Sequence, residues 1–396
     1  MNNQDISLKV KKIIEDVKKY GDTAILKYTR LFDGIKNFSL KDIKVEIKNL
    51  PKIDDVLFKR SITFAINNVK KFHQAELRNI KKFWLTKYNN IVAGQKLLPV
   101  ESVGIYIPGG RYGYNYVSTL IMTVIPAQVA NVKKIVVVTP PKNVTNYFLY
   151  TAYLLKIKEI YKIGGAQAIA ALAFGTETIP KVDLIIGPGN IWVSEAKRQL
   201  VGFVGIDLIA GPSEVVVVAD NSYPVEPIAY ELLAQAEHDK NAKSYLLAFD
   251  QSIIEKVKNY VLSNAKELIS QIQFKYVKDI NSVVSIINQI APEHLTLFTK
   301  KQNFILPKIK NVGAIFFGNN PSAVFGDYIA GPSHVLPTDT TARFSSGLSV
   351  LTFLKKISLI NFSVNTTKML SKYTSKLAEI EGMYWHKKRV DYGKES

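Results

Sequence analysis

Apolar positions early in the chain recur at helical spacing. Ile62, Ala65, Ile66, Val69 and Phe72 fall three or four residues apart and place one apolar stripe along a helix over 54–77. Residues 5–33 read as two helices, with Gly21 capping the end of the first and Asp22 opening the second. From about residue 91 the period changes. Short β-branched runs, VGIYI (103–107), KKIVVVT (133–139), EIYKI (159–163), VDLIIG (182–187) and EVVVVAD (214–220), alternate with helical runs over 117–130, 144–155 and 166–173. That rhythm predicts βαβ units, hence an α/β protein whose parallel sheet has helices on both faces.

After Asp220 a second alternating region predicts another α/β layer. It holds a helix over 230–240 (YELLAQAEHDK), SYLLAFD (244–250), a helix near 251–269, HLTLFT (294–299) and GAIFFG (313–318). The stretch from about 355 to 396 reads as mostly helical. On the 230–240 helix, Gln235 and His238 stand three apart and share a face. An amide oxygen and an imidazole so placed make half of a metal site, or the polar edge of an amphipathic helix. Spacing leaves both open.

Composition narrows the class. With 396 residues, 47% hydrophobic and 21% charged, the chain is long enough for two or three globular domains. No run of 18 apolar residues occurs, and MNNQDISLKVKK contains no signal-peptide core, so the expected location is cytoplasmic, with no membrane partner. The 52 basic residues outnumber the 33 acidic ones, for a net charge of +19. A nucleic-acid binder is one reading of that excess. The lysines are scattered in ones to threes with no basic stripe, which favours a generally basic surface and no nucleic-acid partner. The absence of cysteine excludes disulfides, thiolate ligands and a thiohemiacetal route, so a metal must use N and O donors.

Chemistry-bearing residues gather in Gly/Pro-bounded stretches beside predicted strand ends. APEHLTL sets Glu293 beside His294, FGDYIAGPSHVLPT carries Asp327 and His334, and EGMYWH carries Glu381 and His386. Gln235, His238, Asp327 and His386 would offer two nitrogens and two oxygens to a divalent ion such as zinc, and Glu293–His294 would be left as a general-base pair. His73, in KKFHQ, reads as a helix-surface residue without a catalytic role. The loops IPGGR (107–111), GGAQ (164–167) and GPGN (187–190) sit where ligands bind in open α/β sheets. G-x-G-x-x-G is absent, so a nucleotide would be held in another way.

Together these stretches closely resemble the histidinol dehydrogenase family. The resemblance is carried by VGIYIPGG (103–110), GGAQAIAALAFGTETIPKVDLIIGPGN (164–190), SEAKRQL (194–200), AGPSEVVVVAD (210–220), LLAQAEHD (232–239), APEH (291–294), GDYIAGPSHVLPT (326–338) and EGMYWH (381–386), all in the family's order. It implies oxidation of L-histidinol to L-histidine through L-histidinaldehyde with two NAD+, the final steps of histidine biosynthesis. It implies a zinc per subunit on Gln235, His238, Asp327 and His386, the last reaching across an intertwined homodimer with shared sites. Glu293 and His294 would be the catalytic bases. Substrate contacts would come from Ser213, Gln235, His238, His294, Asp327, His334, Glu381 and His386, and NAD contacts from Tyr106, Gln167 and Asn190. The implied architecture is two incomplete Rossmann-like parallel-sheet domains with helical N- and C-terminal extensions. On that basis 1–105 holds the N-terminal helices and the start of domain 1. Residues 106–213 form the NAD-binding domain 2, 214–350 complete domain 1, and 351–396 form a helical extension to the partner's site. The chain differs from the family's pattern in Trp385 before His386, in the early end of its tail, and in a tyrosine-rich loop over 110–123.

Overall fold

The computed structural model describes residues 3–109 and 116–395. The chain divides into two compact units, 1–77 with 100–353 and 78–99 with 354–396.

The larger unit is built on two sheets. In the first, Ser102–Tyr106 lies between Lys134–Thr139 and Leu184–Ile186, with Glu159–Lys162 and Gly205–Ile206 outside them, all parallel. Lys44–Val45 closes one edge antiparallel to Glu159–Lys162. Val103, Ile105, Val136, Val137 and Val138 are fully buried, which is why these strands read as continuous apolar runs. The helices Gly165–Phe174 and Asn3–Asp33 pack together over one face. As the spacing predicts, the second of these is broken at Gly21 (φ +47°, ψ −127°), and the next amide, Asp22 N–H, donates to Glu177 Oε2 at 2.8 Å.

The second sheet is wholly parallel, in the order Ile272–Tyr276, Lys243–Ala248, Glu214–Ala219, His294–Phe298, Ala314–Phe316. Along Glu214–Ala219 the side chains alternate between faces. Val215 and Val217 meet Ile228, Leu232 and Val257, while Val216 and Val218 meet Val283, Ile287 and Leu297. The protein is thus a mixed α/β fold with parallel sheets and covering helices. None of its described helices is long and apolar enough to cross a membrane.

Four expectations change. The helix expected over 230–240 runs instead from Val225 to Ala236, and His238 lies in the turn beyond it. Pro224 and Pro227 suit a helix start, whereas Asp239 and Asn241 favour a turn, with Asn241 N–H donating to Asp239 Oδ1. The C-terminal stretch does not open as helix. Leu354–Phe362 is a strand, antiparallel to Ile91–Pro99, which in turn pairs with Phe83–Tyr88, and the helices Val364–Ile380 and Tyr384–Glu395 follow. LKKISLINF has too little alternation to announce a strand, and its partner lies far away in sequence. His73 is fully buried in the helix Val56–Arg78, its Nδ1 2.9 Å from Glu76 Oε2, while Phe72 is 42% exposed. The buried face is Ile62, Ala65, Val69 and His73, a stripe that drifts one residue past the expected one. Of the tyrosine-rich loop expected over 110–123, residues 110–115 lie outside the described residues, and from Val117 the chain is helical.

Leu232 anchors the Val225–Ala236 helix on the second sheet with no exposure of its own. Leu232→Ala is expected to cost about 2–5 kcal/mol, read from the midpoint of urea unfolding at unchanged slope.

Candidate active site

Two polar centres lie in the larger unit, at opposite kinds of strand end. The first sits at the C-terminal ends of the first sheet's strands. A cavity of about 350 Å³ is lined there by Tyr106, Gln167, Asn190 and Trp192, with Gly165 and Asp33. Tyr106 ends its strand, and its hydroxyl accepts the Gly165 N–H at 3.1 Å. Burial pushes that hydroxyl's pKa up to about 12, so it stays neutral. Gln167, one turn into its helix, has Oε1 buried without a partner. Asn190 caps the helix Ile191–Leu200 by accepting from the backbone of Trp192 and Val193. Two helix N-termini therefore meet at the cavity, an arrangement that attracts anionic groups.

A buried ion pair holds the GPGN loop in place. Gly187 N–H donates to Asp207 Oδ2 (2.8 Å), Lys197 Nζ donates to Gly187 O (2.6 Å), and Lys197 and Asp207 pair at 2.7 Å. Their side chains are 3% and 2% exposed. Gly187 has φ +108°, and a Cβ there would stand 2.1 Å from the Tyr106 carbonyl oxygen. Only glycine lets the loop lie this close to the central strand.

The second centre is at the N-terminal edge of the second sheet. His294 is the first residue of its strand, in register with Val215 and Ala314. Its Nδ1 is 3.1 Å from Gln235 Oε1 and its Nε2 3.8 Å from Asp327 Oδ1. With the Gln235 amide oxygen set toward Nδ1, that nitrogen is the proton-bearing one and Nε2 faces Asp327. Burial, reinforced by His238 and His334, lowers the His294 pKa to about 3, so the ring is neutral. Burial raises Glu293 to about 8 against the pull of the Ser213 side chain and the Glu214 backbone, and its Oε2 has no partner. Asp327 is raised to about 7 by burial and the nearby Glu231. His334 has both ring nitrogens engaged, Nδ1 with the Asp327 carbonyl (2.7 Å) and Nε2 with Thr119 Oγ1 (3.1 Å). His294, Asp327, His334 and Phe316 line a cavity of about 280 Å³.

The structure thus brings Ser213, Gln235, Glu293, His294, Asp327 and His334 into one centre, with the exposed His238 near enough to depress two imidazoles. It brings Tyr106, Gln167 and Asn190 into the other. Glu381, the C-cap of Val364–Ile380, and His386, on Tyr384–Glu395, are exposed residues of the smaller unit. Among the described residues no three His, Asp or Glu side chains already form a metal cluster. The donor set still suits zinc. Gln235 offers an amide oxygen, His238 an imidazole, and Asp327 a desolvated carboxyl in a place where a bound cation would favour the charged form.

Sequence reasoning missed the supports. Glu231, one turn before Gln235, accepts from Thr296 Oγ1 (2.7 Å), Ser322 Oγ (2.9 Å) and Ala323 N–H (2.5 Å). A carboxylate on the buried face of an otherwise apolar helix was the available signal. Lys197 was visible in SEAKRQL, but nothing in the spacing tied it to Asp207.

A family profile described as histidinol dehydrogenase matches residues 1–393. The chain is 42% identical over 392 residues to a histidinol dehydrogenase of Geobacillus kaustophilus, covering 96% of this chain and 92% of that one. It is 43% identical over 399 residues to one of Carboxydothermus hydrogenoformans, covering 97% and 92%. The crystal structure of histidinol dehydrogenase from Elizabethkingia anophelis superposes with a TM-score of 0.88 at 36% identity, over 99% of this chain and 92% of that one.

Lys197→Met leaves Asp207 buried and unpaired, and is expected to destabilise the protein by about 3–5 kcal/mol in urea unfolding. A double variant that also carries Asp207→Leu should lose less than the two single losses added together.

Proposed function

The chain belongs to the histidinol dehydrogenase family, and from that premise we propose that it oxidises L-histidinol to L-histidine through L-histidinaldehyde, using two NAD+ and one zinc per site. The observation that carries this reading is the second centre: a neutral imidazole, His294, bonded to Gln235 and next in sequence to the buried carboxyl of Glu293, in a cavity that Asp327 also lines. Two successive dehydrogenations with a hydration between them need one base that accepts a proton twice and another that activates water.

Gln235, His238 and Asp327, with His386 of a second copy of the chain, would hold the zinc. A zinc held there would supply a positive charge to bind and orient a nitrogen-bearing substrate. His294 takes the hydroxyl proton on Nε2 as hydride leaves for the nicotinamide. Its bond to Gln235 keeps the proton already on Nδ1 in place, so the same nitrogen is the acceptor in both oxidations. Glu293 draws a proton from the water that adds to the aldehyde. A cation in the pocket favours the charged form that this task requires, against the burial that now raises its pKa. His294 returns its first proton to the aldehyde oxygen as the water adds, which frees Nε2 to take a proton from the hydrate as the second hydride leaves. Ser213 orients Glu293, and Glu381 receives a cationic nitrogen of the substrate. No thiol is needed, in keeping with a chain that has no cysteine.

The dinucleotide would occupy the cavity of Tyr106, Gln167 and Asn190, its pyrophosphate toward the two helix N-termini. Its replacement between the two oxidations requires that the aldehyde stay bound meanwhile.

Two NADH are expected per histidinol consumed, with activity lost on chelation and restored by zinc. In Glu293→Gln the second NADH should form about 10²–10⁴-fold more slowly, so that a single-turnover absorbance trace approaches one NADH per site. Two NADH at undiminished rate would remove Glu293 from this role. Mixed dimers of His386→Ala and Gln235→Ala chains should regain activity, because one of the two sites is then intact. No regain would place His386 in its own chain's site.

A further inference from the structure

Asp33 breaks local rules without a structural return. It is the last residue of the helix Asn3–Asp33, where the helix dipole is negative and a basic side chain is favoured. Its Oδ2 is buried, with no hydrogen-bond partner among the described residues. Burial raises its pKa, and the opposing pull comes from Lys142, whose side chain is exposed and well screened by solvent. A carboxylate that is repelled by its own helix, with one oxygen buried and short of a partner, is disfavoured by folding alone. Such sites are expected where a ligand completes the bonding.

The ligand is defined by what the cavity lacks. Asp33 lines the same space as Tyr106, Gln167 and Asn190, and Gln167 Oε1 is a second buried acceptor without a donor. Two waiting acceptors call for a ligand rich in O–H or N–H donors, and a carboxylate rejects a phosphate at its own position. The vicinal hydroxyls of a ribose meet both conditions. An acid that accepts from the ribose 2′-hydroxyl is the usual basis for choosing NAD over NADP, and in dinucleotide folds with the glycine fingerprint that acid follows within the same βαβ unit. Here the fingerprint is absent, and the acid arrives from a helix that precedes the whole sheet.

We propose that Asp33 determines dinucleotide specificity, its carboxylate accepting hydrogen bonds from a ribose of NAD+ and repelling the 2′-phosphate of NADP+. This rests on the reading of the first cavity as the dinucleotide site.

The test is steady-state kinetics of the full-length Asp33→Ala and Asp33→Asn enzymes with histidinol and either dinucleotide, alongside Gln167→Ala. KM for NAD+ should rise about tenfold or more, as for loss of a hydrogen bond to a charged group. kcat and KM for histidinol should hold within about twofold. The ratio of kcat/KM for NADP+ to that for NAD+ should rise at least about tenfold. Asp33→Asn should melt no lower than the parent, since it removes an unfavourable charge. A purely structural Asp33 would lower the melting temperature and kcat together and leave the cofactor ratio alone, which would overturn the proposal. If Gln167→Ala weakens NAD+ binding while both Asp33 variants keep the parent's KM and ratio, the Asp33 assignment alone falls. If none of the three alters NAD+ binding, the cavity is not the dinucleotide site, and the proposal falls with that reading.

Discussion

The carboxylate of Glu231 accepts hydrogen bonds from three places at once, and the second centre depends on it. Its helix carries Gln235 one turn further on. Thr296 lies two residues beyond His294 on the neighbouring strand, and Ser322 and Ala323 open the short helix that presents Asp327. One buried acid therefore fixes the relative placement of an amide, an imidazole and a carboxylate that are far apart in sequence. Burying it is costly, as its raised pKa indicates, and three donors offset that cost. The first centre has its own counterpart in the Lys197–Asp207 pair, which grips both the N–H and the carbonyl of Gly187. In both cases apolar packing alone would hold the elements without fixing their register to within a hydrogen bond.

The two sheets present opposite edges to their chemistry. The first uses the C-terminal ends of its strands, where two helix N-termini face the cavity and favour an anionic ligand. The second uses the N-terminal ends of Glu214–Ala219 and His294–Phe298. Burial there disfavours the charged forms, with His294 below the usual imidazole range and Glu293 and Asp327 above the usual carboxyl range. A cationic substrate or metal entering such a pocket meets acceptors that water has not already neutralised.

Much of this was legible from local pattern. The buried parallel strands were read because both faces of each are covered, so their residues are apolar without interruption. The break at Gly21 was read because a left-handed backbone angle favours glycine. The helix bearing Gln235 was found but misplaced, and the strand Leu354–Phe362 was missed, since its pairing with Ile91–Pro99 is invisible at close range. His73 was misjudged because a polar residue was assumed to face water, whereas Glu76 supplies a partner inside.

By itself the sequence determined the fold class and the family, because apolar periodicity and long motifs are local properties of the chain. It also named the residues that now stand together, but not why they do. Tertiary structure decided which nitrogen of His294 is free and which carboxyls are desolvated. It also showed that Glu231 and the Lys197–Asp207 pair hold the two centres, and that Asp33 lies in a cavity with an oxygen unpaired. Those are matters of distance and dielectric between residues tens to hundreds of positions apart, and only the folded chain defines them.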